Sequence, residues 1–317
     1  MQDFAFAFLS ILLEGAPFIL LGTLLSGFID VYLPSGAIER FLPRNKIAAI
    51  LVSGLLGIFL PVCECAVVPV IRRLVKKGLP VSCGLTYMLA APIVNPITAL
   101  STFKAFNGQS PLYMMSSRLF LGYLVAVIVG LIILRLPIKK ILQPGIAPEP
   151  QDPGHDLEHY HHESAPHPKN RLTLALRSAL KDLVDVGVYF SIGITITAMF
   201  NTQISLDAPL IEGIASNTYA GPAGLMALSF LLSLCSTSDA FIAATLHKFG
   251  YAARLAFLVF GPMMDVKLLF LYSTVLRKKF ILFLALGLFF GIGGLTILRV
   301  ALFPPDVPPP TAPAFSP

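Results

Sequence analysis

The chain has 317 residues, of which 56% are apolar and only 13% charged, with no Trp and a mean hydropathy of +0.79. A soluble domain carries about 25% charged residues, so this composition excludes a soluble globular fold and predicts an all-α polytopic membrane protein. The net charge of +6 is not a nucleic-acid footprint, because basic residues of membrane proteins gather in cytoplasmic loops.

A spanning helix needs roughly 20 predominantly apolar residues. Windows near 4–29, 47–71, 79–102, 117–136, 183–200, 222–246, 252–276 and 280–303 meet that need. The N-terminal Met1-Gln2-Asp3 has neither a basic n-region nor a small-residue cleavage site, so the first window reads as a retained span rather than a signal peptide. That window contains Glu14 and Gly22. The second carries Pro61-Val62-Cys63-Glu64-Cys65-Ala66-Val67-Val68-Pro69, and the third Ala91-Pro92-Ile93-Val94-Asn95-Pro96. Residues 138–171 are polar and hold five of the six histidines, which predicts a linker. Asp185 and Gly193 follow in the fifth window, Leu234-Cys235-Ser236-Thr237-Ser238-Asp239 in the sixth, and Gly261-Pro262-Met263-Met264-Asp265 in the seventh. The tail 304–317 contains seven prolines and reads as extended and disordered.

The two apolar parts repeat one pattern. Glu14 precedes Gly22 by eight residues, Cys63 precedes Gly78 by fifteen, and Pro92-Ile93-Val94-Asn95 follows. Asp185 precedes Gly193 by eight, Cys235 precedes Gly250 by fifteen, and Pro262-Met263-Met264-Asp265 follows. An internal repeat in an apolar chain implies a transporter with its site between the halves. The expected division is a first membrane repeat at 1–137, a cytoplasmic linker at 138–171, a second repeat at 172–303 and a tail at 304–317.

Lys and Arg positions bear on topology. Eight crossings with the N-terminus inside place 14 basic residues inside and 8 outside, with Arg277-Lys278-Lys279 on the wrong side. If the second and sixth windows are re-entrant hairpins, the N-terminus is outside. The distribution is then 17 inside against 5 outside, namely Lys104, Arg118, Lys248, Arg254 and Arg299, and the acidic loop with Asp207 and Glu212 is external. The positive-inside rule favours this version: six crossings plus two re-entrant hairpins in an inverted repeat. Eight crossings stay open.

Chemistry concentrates in the broken windows. Pro61 and Pro69 disfavour a continuous helix, predicting an opened backbone beside Cys63. Two thiols flank a carboxylate there, and thiolates suit soft ions and metalloids. A pseudo-two-fold axis would bring Cys63, Cys65 and Cys235 together as a three-thiol site. Buried cysteines also pack as small hydrophobes, the expected role of Cys83. A Cys63–Cys65 disulfide would be strained. Glu14, Glu64, Asp185, Asp239 and Asp265 lie in apolar windows at about 2.5–3.5 kcal/mol each, and Lys267 is positioned to pair with Asp265. Interhelical bonding is the plain reading of any one acid; five of them, two at matched positions, suit a proton relay. The runs around Asn95 and Asp265 read as broken helices whose freed carbonyls face a substrate, with a packing kink as the alternative. His155, His159, His161, His162 and His167, with Asp152, Asp156, Glu158 and Glu163, show no fixed tetrahedral spacing, and a solvated linker is the favoured reading over loose metal binding.

The runs at 61–69, 89–96 (Leu-Ala-Ala-Pro-Ile-Val-Asn-Pro), 234–241 (Leu-Cys-Ser-Thr-Ser-Asp-Ala-Phe) and 261–267 (Gly-Pro-Met-Met-Asp-Val-Lys) resemble the predicted permeases of the ArsP/YraQ type. The resemblance covers nearly the whole chain outside linker and tail. It implies a permease, with organoarsenical or metal efflux among the activities of relatives. In the arsenical exporters the first run looks like Pro-Phe-Cys-Ser-Cys, so Cys63 and Cys65 match its thiols. Glu64 stands in place of Ser, which shifts the expected substrate toward a cationic soft metal or a proton-coupled solute.

The reading is a permease of the cell membrane, exporting a small soft metal or metalloid by alternating access. Cys63, Glu64, Cys65, Asn95, Cys235, Ser236, Asp239 and Asp265 are the expected substrate contacts, with Cys63, Cys65 and Cys235 as metal ligands. Glu14, Asp185 and Lys267 are the expected coupling residues. No Gly-x-x-x-x-Gly-Lys-Ser/Thr run is present, so an ion gradient or a separate subunit supplies the energy. No cofactor and no enzymatic activity are expected. The partners are a small solute or ion and the bilayer, not nucleic acid, and a homo-oligomer is open. Three alternatives remain: a permease for an unrelated solute with structural cysteines, a membrane-embedded thiol redox protein, and a non-transporting sensor or scaffold.

Overall fold

The computed structural model describes residues 2–34, 42–60, 62–143, 171–201, 217 and 219–304. Pro61, the linker histidines and acids, Asp207, Glu212 and the tail from Pro305 onward lie outside the described residues. The described residues are helical, apart from an isolated bridge between Leu142 and Leu276.

Four helices are long and apolar enough to span a membrane: α1 (Gln2–Tyr32), α6 (Pro111–Leu134), α8 (Arg171–Asn201) and α13 (Lys278–Leu302). The remaining apolar windows are each split in two. In the first part of the chain the pieces are α2 (Lys46–Phe59), α3 (Glu64–Lys76), α4 (Val81–Ala90) and α5 (Pro96–Ala105), with the short α7 (Ile138–Ile141) after α6. In the second they are α9 (Ala220–Leu232), α10 (Asp239–Thr245), α11 (Tyr251–Phe260) and α12 (Val266–Tyr272). A helix of 14 residues, the length of α2, reaches only about 21 Å at 1.5 Å per residue. None of these pieces crosses a core of about 30 Å alone.

Each break has a local cause. At 91–95 the amides of Ile93 and Val94 both return to the Ala90 carbonyl, and Asn95 Oδ1 accepts from Ile97 N at 2.8 Å to start α5. At 261–265 Met263 and Met264 return to Phe260, and Asp265 Oδ1 accepts from Leu268 N at 2.6 Å to start α12. Both are side-chain N-caps on extended residues. Cys63, also extended, heads α3, so the backbone opens there as expected. Pro69 does not interrupt the chain; it lies inside α3, which forgoes the bond a proline cannot donate. α9 stops where Ser233 turns left-handed at φ 48°.

The long helices α1 and α8 run antiparallel. Gly27 lies against Ala175 and Ala179, while Gly15 lies against Phe190. Onto this pair rest α3, through Gly22 against Ala66, and α12, through Gly193 against Lys267. A Cβ on either glycine would come within 3 Å of backbone atoms, so close approach requires glycine there. Flanking this centre, α2 packs with α4 and α6, and α9 packs with α11 and α13.

Candidate functional site

Three of the helix breaks, those at Cys63, at 233–238 and at 261–265, meet beside α1 and α8. Cys63, Glu64, Cys65, Cys235 and Lys267, with Glu14, Gly15 and Phe190 from the long helices, line one cavity of about 10 Å³. That is near the lower limit for a single water. The thiols are free, Cys63 partly exposed and Cys65 and Cys235 buried. Among the described residues no three His, Cys, Asp or Glu side chains are grouped to hold a metal ion.

Lys267 organises the centre. Its side chain is 4% exposed, and its Nζ lies 3.2 Å from Glu64 Oε1 and 3.4 Å from Asp265 Oδ2. It also donates to the carbonyls of Ser233 at 2.9 Å and Leu234 at 3.1 Å. These carbonyls are freed by the end of α9, where the helix dipole favours a cation. Glu64 is the first residue of α3, at the positive end of that helix, and accepts from Ser236 Oγ at 3.3 Å. The freed carbonyls thus face an internal ammonium, and the charge of Glu64 is balanced by a lysine brought from the other part of the chain. Sequence spacing indicated the Lys267–Asp265 pair; the Lys267–Glu64 pair, between residues 203 positions apart, had no local signal.

A second buried ion pair stands beside the first. Arg118 on α6 reaches Asp239 at 2.7 and 3.0 Å, and also donates to the Ser236 carbonyl and to Thr102 Oγ1. Arg118 is 1% exposed, so it is not a loop residue, as its place in the basic-residue count assumed. The count misses it because one arginine does not break an apolar average. Asp239 is held by this arginine and does not line the cavity. Asn95 is taken up by its cap. The matched acids part company: Glu14 lines the cavity and accepts from Ser238 Oγ at 3.0 Å, whereas Asp185 pairs with Arg72 at 3.6 Å and is 44% exposed.

A third network was not legible in the sequence. Arg73 at the end of α3 clamps Asp182 of α8 with two bonds of 2.9 Å and reaches Asp30 of α1 at 3.1 Å. Ser178 links Arg73 to Asp30, and Ser26 donates to Asp182. This lock ties the helix that carries the Cys-Glu-Cys run to the central pair.

Residues 1–296 match a family model described as a predicted permease, of the ArsP type. The chain belongs to that permease family. It is similar to a Streptococcus mutans protein named as a candidate subunit of a two-component membrane permease complex, 37% identical over 87% of each chain. It is likewise similar to the Bacillus subtilis UPF0718 protein YcgR, 37% identical over 87% of this chain and 90% of the relative. No solved structure matches it. With four helices of spanning length and composition, this member of the family is an integral protein of the cell membrane. The family speaks for a transporter rather than an enzyme.

Proposed function

We propose that this permease moves a small thiophilic cation or metalloid by alternating access through the cavity between Cys63, Cys65 and Cys235. One observation carries the reading: thiols from two distant breaks, a carboxylate and a buried lysine line a single small cavity. That volume holds about one water at most, so passage of a substrate requires the walls to part. The buried centre holds Glu64, Asp239 and Asp265 against Lys267 and Arg118. With all five ionised it lacks one positive charge, which a proton or a cationic substrate would supply. Competition between the incoming charge and Lys267 for Glu64 would then couple loading to rearrangement of α12. Glu14 is suited to pass a proton at the cavity mouth; Asp185 serves the lock beside Arg72. Asn95 and Asp239 hold the break geometry around the substrate contacts.

An inverted repeat with re-entrant segments is part of the proposal. The matched pieces have similar lengths: 31 and 31 residues for α1 and α8, 10 and 10 for α4 and α11, 24 and 25 for α6 and α13. Lys46 and Pro80, at the two ends of the α2–α3 segment, line one groove with Pro137, which favours a return to the side of origin. Gln109, just before α6, donates to the carbonyl of Ala244 on α10 at 3.4 Å, which favours the same return for the α9–α10 segment. The basic residues then put the 138–171 linker in the cytoplasm. The name of the Streptococcus relative adds a companion subunit to the partners worth seeking.

The test is uptake into everted vesicles of arsenite, methylarsenite, Cu(I) or Zn(II), with and without a proton gradient. We expect accumulation of one species, lost in Cys63→Ser and kept at basal level after deletion of 151–168. Unchanged transport without both Cys63 and Cys65 would remove the thiol site. A cysteine introduced at Pro310 should label from outside; labelling from the cytoplasm would restore eight crossings.

A further inference from the structure

A large groove lies away from the thiol cavity, on the linker side of the molecule. It has a volume of about 740 Å³ and is lined by residues such as Leu42, Val81 and Ile138, with Arg44 and Lys46 among them and, among the described residues, no acid. Such a volume lies in the range of ligand sites. A second cavity of about 240 Å³, wholly apolar in its lining, follows α6 from Leu136 to Val125 against α13. The two share Ile133 and Leu136 as wall residues, so they adjoin at these side chains and together trace a path along α6. The helical lining runs from Val125 to Ile133 on α6 and from Phe280 to Leu295 on α13, about 12 and 22 Å at 1.5 Å per residue, lengths that bracket the roughly 15 Å of hydrocarbon in one leaflet. Gly287 and Gly291 line the narrow part, and a Cβ on either would meet nothing within 4 Å.

We infer that this path binds one anionic phospholipid, its headgroup between Arg44 and Lys46 and one acyl chain along α6 and α13. The charge pattern selects the occupant. Two cations with no carboxylate among the described lining residues favour a negative headgroup, and basic pockets on the cytoplasmic side of membrane proteins take such lipids. A wholly apolar groove one leaflet deep suits an acyl chain and nothing hydrated. The permease reading supplies only the leaflet, since it makes the linker side cytoplasmic. The lipid would brace α2, α4 and α6 at their linker-side ends and so bear on how far the α2–α3 segment can move.

The test uses the full-length protein purified in mild detergent, incubated with phosphatidylglycerol or phosphatidylcholine and analysed by native mass spectrometry. One phosphatidylglycerol is expected to be retained in preference to phosphatidylcholine. Arg44→Gln with Lys46→Gln should lower that preference by roughly thirtyfold, about fivefold for each basic residue. Gly287→Leu with Gly291→Leu should fill the narrow part and reduce retention of both lipids. Gly294→Leu, whose Cβ also meets open space but which does not line the groove, should leave retention unchanged and controls for folding. Equal retention of the two lipids by the unaltered protein, or retention indifferent to both double variants, would overturn the inference. So would crosslinking that places residues 35–41 in the groove, or a dimer in place of a lipid adduct. Vesicle transport is read separately: lipid selectivity without transport would leave this site standing and remove the thiophilic-substrate proposal, and the converse would do the opposite.

Discussion

The two helix breaks at 91–95 and 261–265 have nearly the same backbone and opposite chemistry. Both begin with paired amides returning to one carbonyl, and both end in a side-chain N-cap, Asn95 or Asp265. Two residues on, the first has Ile97, 54% exposed, and the second has Lys267, 3% exposed. The breaks that meet them are opposed in the same way, Cys63-Glu64-Cys65 in one part and Cys235-Ser236-Thr237 in the other. Thiols and a carboxylate come chiefly from one part of the chain, and the ammonium that balances them comes from the other. A fold that reuses a backbone device can thus place complementary charges where a strictly symmetric site would repel itself.

The largest effect expected from breaking this asymmetry is at Lys267. Lys267→Met leaves Glu64 and Asp265 buried without their cation, and removing one partner of a buried pair costs about 3–5 kcal/mol. Thermal unfolding in detergent should show that loss, with partial recovery when Glu64→Gln is added. A Lys267→Met variant as stable as the original would mean the pair is not what joins the two parts. Arg118→Leu should destabilise to a comparable degree. Yet Arg118→Leu with Asp239→Leu should keep measurable transport, because neither residue lines the cavity, whereas Lys267→Met with Glu64→Gln should lose it. Equal transport by the two double variants would erase the distinction between the ion pairs.

Smaller effects sharpen the comparison. Gly193→Val drives a side chain toward Lys267 Cα, 2.8 Å from the ideal Cβ position, and should cost about 1–3 kcal/mol as overpacking does. Gly287→Ala meets open space and should be neutral or gain up to about 1 kcal/mol from helix propensity. Smallest is Asp185→Asn: its half-exposed ion pair is worth about 0–1 kcal/mol, and transport should hardly change. Glu14→Gln, at the matched position but on the cavity, should slow transport without a matching loss of stability. If the two behave alike in vesicle assays, Glu14 has no part in coupling.

The long helices were legible as apolar windows, but window length did not single them out, since the windows at 47–71, 222–246 and 252–276 are as long and are split. The breaks were legible from Pro92, Pro262 and the capping residues beside them, since a missing amide and a competing side-chain acceptor act locally. Glu64 was legible as a buried acid but its partner was not; a lysine 203 residues away leaves no trace in spacing or periodicity. Arg118 and Arg73 were hidden for the same reason. Both were counted as loop cations, and only their contacts with Asp239 and with Asp182 and Asp30 reveal ion pairs.

By itself, then, the sequence determined the membrane environment, the helical class and the positions at which helices stop. Hydropathy, proline and N-capping act within a turn or two of the chain, so they can be read there. Only the tertiary structure decided which charges meet, that Asp185 stands apart from the cavity Glu14 lines, and that the thiols share one volume. Those outcomes depend on how α3 and α12 come to rest on α1 and α8, where Gly22 and Gly193 let backbones approach closely enough for a buried carboxylate to find its cation.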